Sequence, residues 1–469
     1  MKKTTLFSLA LAAGLALSPS LADAQTKVTL TTAKAVGAEF SFVTNPGKIT
    51  VDWGDGKAVE LSSSGEPIKG ELKGQTVIIS PENLTFLDCS SNELTQFNVE
   101  DALSLRTLYC EDNQLKSLSL DGCRALEDLD CSENDLSSLS TSFLNNLQVL
   151  NCAGNALYAL SVQSQPKLKT LICSDNKLES ISVSQNSALE TLWCQNNKLR
   201  TLNLSSNKNL QSLVCDDNQI STVNVSGCSQ IIDFWCDNNQ LKTLDVKNNV
   251  DLQTLSCSNN QLTSLNIPAA SANKKTKAFY CDGNNLTFTS MHSLSNIENP
   301  DNCLYSPQAA FSLPQNTILV GERISIEGFA ENADGSNVSP FYTWKNGDVE
   351  LEKGSKGDYT AIGYRFTFNK PFEAIRCEVT SAGYPGLVLT STPLAVVDET
   401  TGIDDVMKTF GFSYTTNGGV ITMKSDKPYQ VRIYTVDGKM VWSGTVGTSE
   451  KRVSLGHGIF LLNGIKLSI

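Results

Sequence analysis

The stretch LETLWCQNNKLRTLNLSSNKN, Leu189 to Asn209, is one copy of a unit that recurs at 21-residue intervals. Cysteines mark its phase: Cys89, Cys110, Cys131, Cys152, Cys173, Cys194, Cys215, Cys236 and Cys257, with Cys281 following after 24 residues. Each carries an asparagine three residues later: Asn92, Asn113, Asn134, Asn155, Asn176, Asn197, Asn218, Asn239, Asn260 and Asn284. Leucines fill the frame, so the unit reads L-x-x-L-x-C-x-x-N-x-L-x-x-L-x-[LV]-x-x-[NC]-x-x. No such unit can bury its apolar residues alone. Fixed-period self-similarity therefore implies coils stacked into one continuous core.

Within a coil, the L-x-C segment, such as Leu192-Trp193-Cys194, is expected to be a short strand. Its Leu and Cys point inward and the residue between them outward, by the two-residue period of β structure. Successive strands pair in parallel, and the asparagine stands where the chain turns out of the strand. A buried amide there satisfies backbone groups that the turn leaves without partners. The pattern is identified as a leucine-rich repeat: a solenoid of parallel β with short convex segments. The cysteine column has two readings, small buried hydrophobes packed on one another or disulfides and soft-metal ligands. No C-x-x-C or C-x-x-H spacing occurs, which disfavours zinc, and packing is the expectation. Cys123 and Cys228 occupy the later [NC] position and are expected to be structural turn residues on the convex side.

With 469 residues the chain has room for several domains. Its net charge of −12 argues against nucleic acid or an anionic membrane as partner. Lys2 and Lys3, the apolar run Leu6 to Leu17 and Ala22-Asp23-Ala24 read as a secretory signal over residues 1–24. No cysteine follows the cleavage site, so no lipid anchor is expected, and no other apolar run is long enough to span a bilayer as a helix. The mature chain is expected to be exported.

Flanking modules are expected to be all β. Residues 25–80 alternate like strands (Val28 to Thr32, Phe40 to Thr44, Ile49 to Trp53) and read as a cap over the open end of the repeats, which run over 81–290. Asp52-Trp53-Gly54-Asp55-Gly56 reads as a hairpin turn rather than a calcium site. It resembles the Trp-Gly-Asp-Gly signature of polycystic-kidney-disease-type β modules. Within the last repeat, Ala269 to Lys277 is a polar insert. Residues 304–398 carry Ile324-Ser325-Ile326, Phe341 to Lys345 and Ile375 to Val379 as strands. Trp344 and Cys377 resemble the core tryptophan and second cysteine of an immunoglobulin-like sandwich. Ile324 and Ile326 stand where the first cysteine would be.

After a linker at Asp398 to Lys408, residues 409–469 form a further β module. Val431 to Tyr434, a turn at Asp437-Gly438 and Met440 to Trp442 read as a hairpin, followed by strands at Val453 to Leu455, Ile459 to Leu462 and Lys466 to Ile469. The Ile433-Tyr434 strand, the Gly458-Ile459-Phe460 strand and the closing Lys466 strand resemble the C-terminal sorting domain of type IX secretion cargo. That resemblance implies passage across a Gram-negative outer membrane by the matching secretion machinery, then surface attachment or release. The 21-residue cysteine-bearing repeat followed by an immunoglobulin-like module resembles internalin J, within the internalin class of bacterial surface proteins. Members of that class are adhesins or host-interaction proteins that bind through the concave sheet without catalysis. Two features depart from it: the cap reads as β rather than helical, and no Leu-Pro-x-Thr-Gly wall signal is present.

The outward residue between Leu and Cys samples the concave face once per coil: Asp88, Tyr109, Asp130, Asn151, Ile172, Trp193, Val214, Trp235, Ser256 and Tyr280. Tyr109, Ile172, Trp193, Val214, Trp235 and Tyr280 are the candidate contacts, with Asp216, Asp233 and Asp237 as an acidic rim. An apolar patch rimmed by charge marks a protein-binding site, and Trp and Tyr often dominate binding energy. The same aromatics also suit a plain strand surface, or a sugar ring. Only His292 and His457 are available for imidazole chemistry, and no phosphate loop, nucleophile elbow or metal motif occurs. Neither catalysis nor a cofactor or metal is expected. The reading is an exported surface adhesin with a protein partner. Glycan binding, or self-association in a biofilm matrix, are its rivals.

Overall fold

The computed structural model describes residues 26–100, 102–268, 277–290, 303–329, 338–384, 386–397, 411–435, 439–456, 459–462 and 465–468. The expected leader, insert residues 269–276, the linker, the Asp437-Gly438 turn and both histidines lie outside them. The chain divides into two units, Met1–Leu168 and Lys169–Ile469. Almost all the described regular structure is β; one 3-10 turn, Phe288–Ser290, is described. No described helix is long and apolar enough to cross a membrane.

In the first unit the strands are β1 (Lys27–Thr32), β2 (Glu39–Thr44), β3 (Gly47–Asp52), β4 (Ala58–Ser63), β5 (Ile68–Glu71), β6 (Thr76–Pro81), β7 (Phe86–Asp88), β8 (Leu94–Glu100), β9 (Thr107–Tyr109), β10 (Asp128–Asp130) and β11 (Val149–Asn151). Strict alternation buries Val28, Leu30, Phe40, Phe42, Ile49, Val51, Val77 and Ile79, so β1, β2, β3 and β6 each turn one face inward, as a half-buried period-2 pattern requires, while β4 and β5 stay largely exposed. One cap sheet runs β4-β3-β6-β1-β8. Its last strand comes from the first repeat: β8 lies antiparallel to β1, Leu30 opposite Phe97. The cap also closes the ladder edge, where β2 pairs antiparallel with β7 before β7, β9 and β10 continue in parallel. Asp52 acts as turn chemistry: its Oδ1 accepts from the N–H groups of Gly54, Asp55 and Gly56 at 2.8–3.1 Å.

In the second unit the coil strands are β12 (Thr170–Ile172), β13 (Thr191–Trp193), β14 (Thr201–Asn203), β15 (Ser212–Val214), β16 (Thr222–Asn224), β17 (Asp233–Trp235), β18 (Thr243–Asp245), β19 (Thr254–Ser256), β20 (Ser264–Asn266), β21 (Ala278–Tyr280) and β22 (Cys303–Leu304). One parallel ladder runs β12-β13-β15-β17-β19-β21-β22. On the return side of the coils, β14 pairs with β16 and β18 with β20, also in parallel. Inward leucines such as Leu192, Leu213 and Leu255 are fully buried; truncating one to alanine would cost about 2–5 kcal/mol. The fold is a leucine-rich-repeat solenoid.

Two columns stitch the coils. Every ladder cysteine is buried, and none forms a disulfide. Cys215, Cys236 and Cys257 each aim Sγ at the strand carbonyl of the following coil, at 3.3–3.5 Å. The asparagines do more. Asn197 Nδ2 donates to the carbonyls of Cys173, Cys194 and Gln195 at 2.9–3.2 Å, and its Oδ1 accepts from Leu178 N–H at 2.9 Å. Asn113, Asn218, Asn239, Asn260 and Asn284 repeat this arrangement. Between each cysteine and its asparagine the chain passes through the left-handed region, at φ values of 51–66° (Asp112, Glu133, Gly154; Asn196, Asp217, Asn238, Gly283). Asp, Asn and Gly tolerate that conformation best. Cys123 and Cys228 stand at the later turn and are fully buried there, Cys228 Sγ lying 3.2 Å from the Leu204 carbonyl.

The ladder runs one coil past Cys281, the last cysteine of the column. Phe279 and Tyr280 pair with Cys303 and Leu304, placing buried Tyr305 in the cysteine position. Gln308 then does the asparagine's work: Nε2 donates to the Cys281 carbonyl at 2.8 Å, and Oε1 accepts from Leu286 N–H at 2.9 Å.

Beyond it a sandwich comprises β23 (Thr317–Leu319), β24 (Arg323–Ser325), β25 (Phe341–Asn346), β26 (Val349–Glu350), β27 (Tyr359–Ile362), β28 (Arg365–Phe368), β29 (Phe372–Thr380), β30 (Leu389–Thr390) and β31 (Leu394–Val397). Its sheets are β23-β31-β29-β25-β26 and β24-β28-β27. Trp344 and Cys377 sit opposite each other on β25 and β29. The buried Trp344 ring packs edge-on against Phe366 and Phe368. Ile324 is buried and Cys377 is a free thiol, so packing takes the place of an inter-sheet disulfide. Phe288, from the coil of Cys281, meets Phe329 and Tyr384 of this sandwich.

The final module holds β32 (Ser413–Asn417), β33 (Val420–Lys424), β34 (Tyr429–Thr435), β35 (Met440–Val446), β36 (Lys451–Ser454), β37 (Ile459–Leu462) and β38 (Ile465–Ser468), in sheets β32-β33-β36 and β35-β34-β37-β38. The expected hairpin is β34 with β35, Ile433 opposite Trp442. Ile421, Met423, Val431 and Ile433 centre its core.

Candidate protein-binding surface

On each cysteine-bearing coil strand three residues alternate outward: one before the inward apolar residue, one between it and the cysteine, and one after the cysteine. In the second unit the middle positions form an unbroken row, because the register pairs Ile172 with Trp193, Trp193 with Val214, Val214 with Trp235, Trp235 with Ser256, and Ser256 with Tyr280. Leu304 pairs with Tyr280 and extends the row with a side chain 48% exposed. Sequence reasoning missed it because Tyr305 and Gln308 stand at the positions where a cysteine and an asparagine mark the other coils. The three-residue spacing of Tyr305 and Gln308 was the available signal.

Ile172, Trp193, Val214, Trp235 and Tyr280 are half-buried, Ser256 is buried, and Leu304 is exposed. Parallel strands lie about 4.8 Å apart, so large side chains on neighbouring coils shield one another. Trp193 donates its indole N–H to Ser212 Oγ at 3.1 Å. Trp235 and Tyr280 stack with ring centroids 6.4 Å apart and planes at 30°.

The acidic residues are tied into the same face. Asp216 Oδ1 accepts from Asp237 N–H at 2.8 Å. Asp237 in turn accepts from Ser256 Oγ and Ser258 N–H, each at 2.7 Å. Burial pushes the Asp237 carboxyl above its ordinary value against those hydrogen bonds, and Asp282 and Asp217 add repulsion. Asp233 precedes the inward Phe234 and shares its face with Trp235. Asp216 and Asp237 therefore hold coils together as well as charging the surface.

Tyr109 belongs to the first unit and has a different setting. Its hydroxyl donates to Asp128 at 2.9 Å, and its ring meets Phe86 edge-on. Nearby Glu111 keeps one carboxylate oxygen buried without a hydrogen-bond partner among the described residues. Burial, with Asp130 and Asp88 adding repulsion, raises its pKa from 4.5 to about 7. A carboxyl whose folded pKa is raised binds more protons folded than unfolded between those values, so its contribution to stability falls as pH rises from about 4.5 to 7. Glu111→Gln is expected to match the parent at pH 4.5. At pH 8 it should exceed the parent by on the order of 1 kcal/mol after allowing for solvent screening. Urea melts of both proteins across pH check this; a pH-independent difference would refute it.

Among solved structures, the functional domain of InlJ from Listeria monocytogenes, reported to include a cysteine ladder, is similar at 23% identity, covering 67% of this chain and 81% of that one with a TM-score of 0.35. The internalin InlF from Listeria monocytogenes is similar at 17% identity over 48% of this chain and 81% of its own, TM-score 0.36. YopM, a leucine-rich effector protein from Yersinia pestis, shows 21% identity over 49% and 62%, TM-score 0.38. These neighbours are internalins and leucine-rich-repeat proteins. No protein-family model and no curated protein matches the chain.

Proposed function

We propose that this chain is an exported surface protein that binds a protein partner through the coil-strand face of its second unit. The observation that carries the reading is the row Ile172, Trp193, Val214, Trp235, Ser256, Tyr280, Leu304, in which one small residue interrupts large apolar ones. Two tryptophans and a tyrosine on a rigid ladder supply contact area with little entropy left to lose. In this reading the two β modules after the coils act as spacer and sorting domain, and the latter directs passage through type IX machinery to the outer surface of a Gram-negative cell.

Two measurements test it. Protease shaving of intact cells, followed with antibodies to the coils and to the last 60 or so residues, reports display. Removal of the coils by external protease supports it, and a full-length protein protected inside the envelope would refute it. Trp193→Ala with Trp235→Ala should weaken binding of the purified chain to target cells by at least about tenfold, while the circular dichroism stays that of the parent. Unchanged binding would remove the surface. The Trp235–Tyr280 pair also suits a sugar ring; binding that survives protease treatment of the target cells but not periodate would favour that partner.

A further inference from the structure

The alternation along β17 puts Asp233, Trp235 and Asp237 on one face, each about 7 Å from the next. Two coils on, Tyr280 and Asp282 share that face. Strands two apart in the ladder are separated by roughly 10 Å, yet the two rings approach to 6.4 Å. They lean together over Ser256, which is left 2% exposed. Beneath them Ser256 Oγ donates to Asp237, and Ser258 Oγ donates to Asp282 Oδ1 at 2.5 Å. Both carboxylates are thus held in place beside the aromatic pair.

The charge on this face is one-sided. At the three outward positions of the strands in the ladder β12-β13-β15-β17-β19-β21-β22 stand four carboxylates, Asp216, Asp233, Asp237 and Asp282, and no described lysine or arginine. Lys277 lies just outside the grid, before β21. Asp237, partly desolvated beside the aromatic pair, forms with the rings a setting that a cation stabilises twice. It pairs with the acid and interacts with the ring face, and a planar guanidinium does both at once.

We propose that the partner presents an arginine to this grid, its guanidinium laid against the Trp235–Tyr280 pair and hydrogen-bonded to the Asp237 carboxylate. The proposal rests on reading the face as a protein-binding surface, and it supplies the chemistry of the contact.

Calorimetric titration of the full chain with a Gly/Ser peptide carrying three arginines, and with its citrulline counterpart, tests the proposal. Citrulline keeps the shape and removes the charge. The arginine peptide is expected to bind about tenfold more tightly. The variant Trp235→Leu with Tyr280→Leu keeps every charge and should lose about tenfold. Equal binding of the two peptides, no binding of either, or undiminished binding by the leucine variant would each overturn the proposal, the last by showing diffuse attraction to an acidic protein. If cell binding still depends on Trp193 and Trp235 while the peptides fail to discriminate, the arginine contact falls and the protein-binding surface stands. Loss of both results removes the surface itself.

Discussion

Replacing Asn197 by aspartate is expected to destabilise the second unit by about 4 kcal/mol or more, and to do so more severely than replacement by alanine. The side chain is 8% exposed and joins four backbone groups on two successive coils through both ends of its amide. Alanine abandons them: the Leu178 N–H and the carbonyls lose a partner at roughly 1–3 kcal/mol for each group left dry. Aspartate keeps an acceptor for Leu178 but turns its second oxygen toward three carbonyl oxygens. It must bury a repelled charge or take up a proton. Urea unfolding followed by circular dichroism should order the proteins Asn, Ala, Asp from most to least stable at neutral pH. The gap between Asp and Ala should narrow in acid, as the carboxyl gains a proton and can donate. An aspartate variant as stable as the parent would show that the amide column is not what joins the coils.

Thiol reactivity should separate the cysteines sharply. Of the chain's 14 cysteines, Cys303 alone is not fully buried; the other thirteen (14 minus one) are. Loss of hydration pushes Cys194, Cys215, Cys236 and Cys257 well above the ordinary thiol value, with neighbouring thiols and aspartates adding to it. Cys228 rises to about 11, from burial alone. Only thiolate attacks a disulfide reagent, and only from an accessible site. With Ellman's reagent at pH 8, one thiol is expected to react on the time scale of minutes. The rest should lag by about a thousandfold or more, waiting on opening of the coils; all 14 should react once urea unfolds the chain. The same burial would keep the column reduced in an oxidising compartment, where so many cysteines would otherwise suggest disulfides. Several fast thiols in the native protein would mean that the column is not sealed.

The period of Cys89 to Cys257 carried the architecture, because inward leucine, inward cysteine and turn asparagine are each dictated by one coil's geometry. It also carried the row from Ile172 to Trp235, whose members share a phase. What depends on contacts between distant segments was not legible. Leu94 to Glu100 read as an ordinary part of the first repeat, and their pairing with β1 needs the cap to be present. Asp216 and Asp237 read as rim charges; their bonds to neighbouring coils depend on the hydroxyl or amide that happens to face them. Glu111 drew no notice, since nothing local distinguishes a carboxyl whose oxygen ends up dry. Tyr305 and Gln308 escaped because they fulfil the cysteine and asparagine roles with different residues.

The direction in which the asparagines reach has a consequence for how such a chain is made. Asn218 bonds back to the Cys194 carbonyl and accepts from Leu199 N–H, both belonging to the coil before its own. A coil is therefore finished only when its successor has been synthesised. The emerging polypeptide can zip up from the N-terminal side with a single joint open at any moment. Because each joint uses the same bonds, an in-frame gain or loss of 21 codons would lengthen or shorten the array without any new chemistry. The terminator is a glutamine, Gln308, standing where the next asparagine would have come.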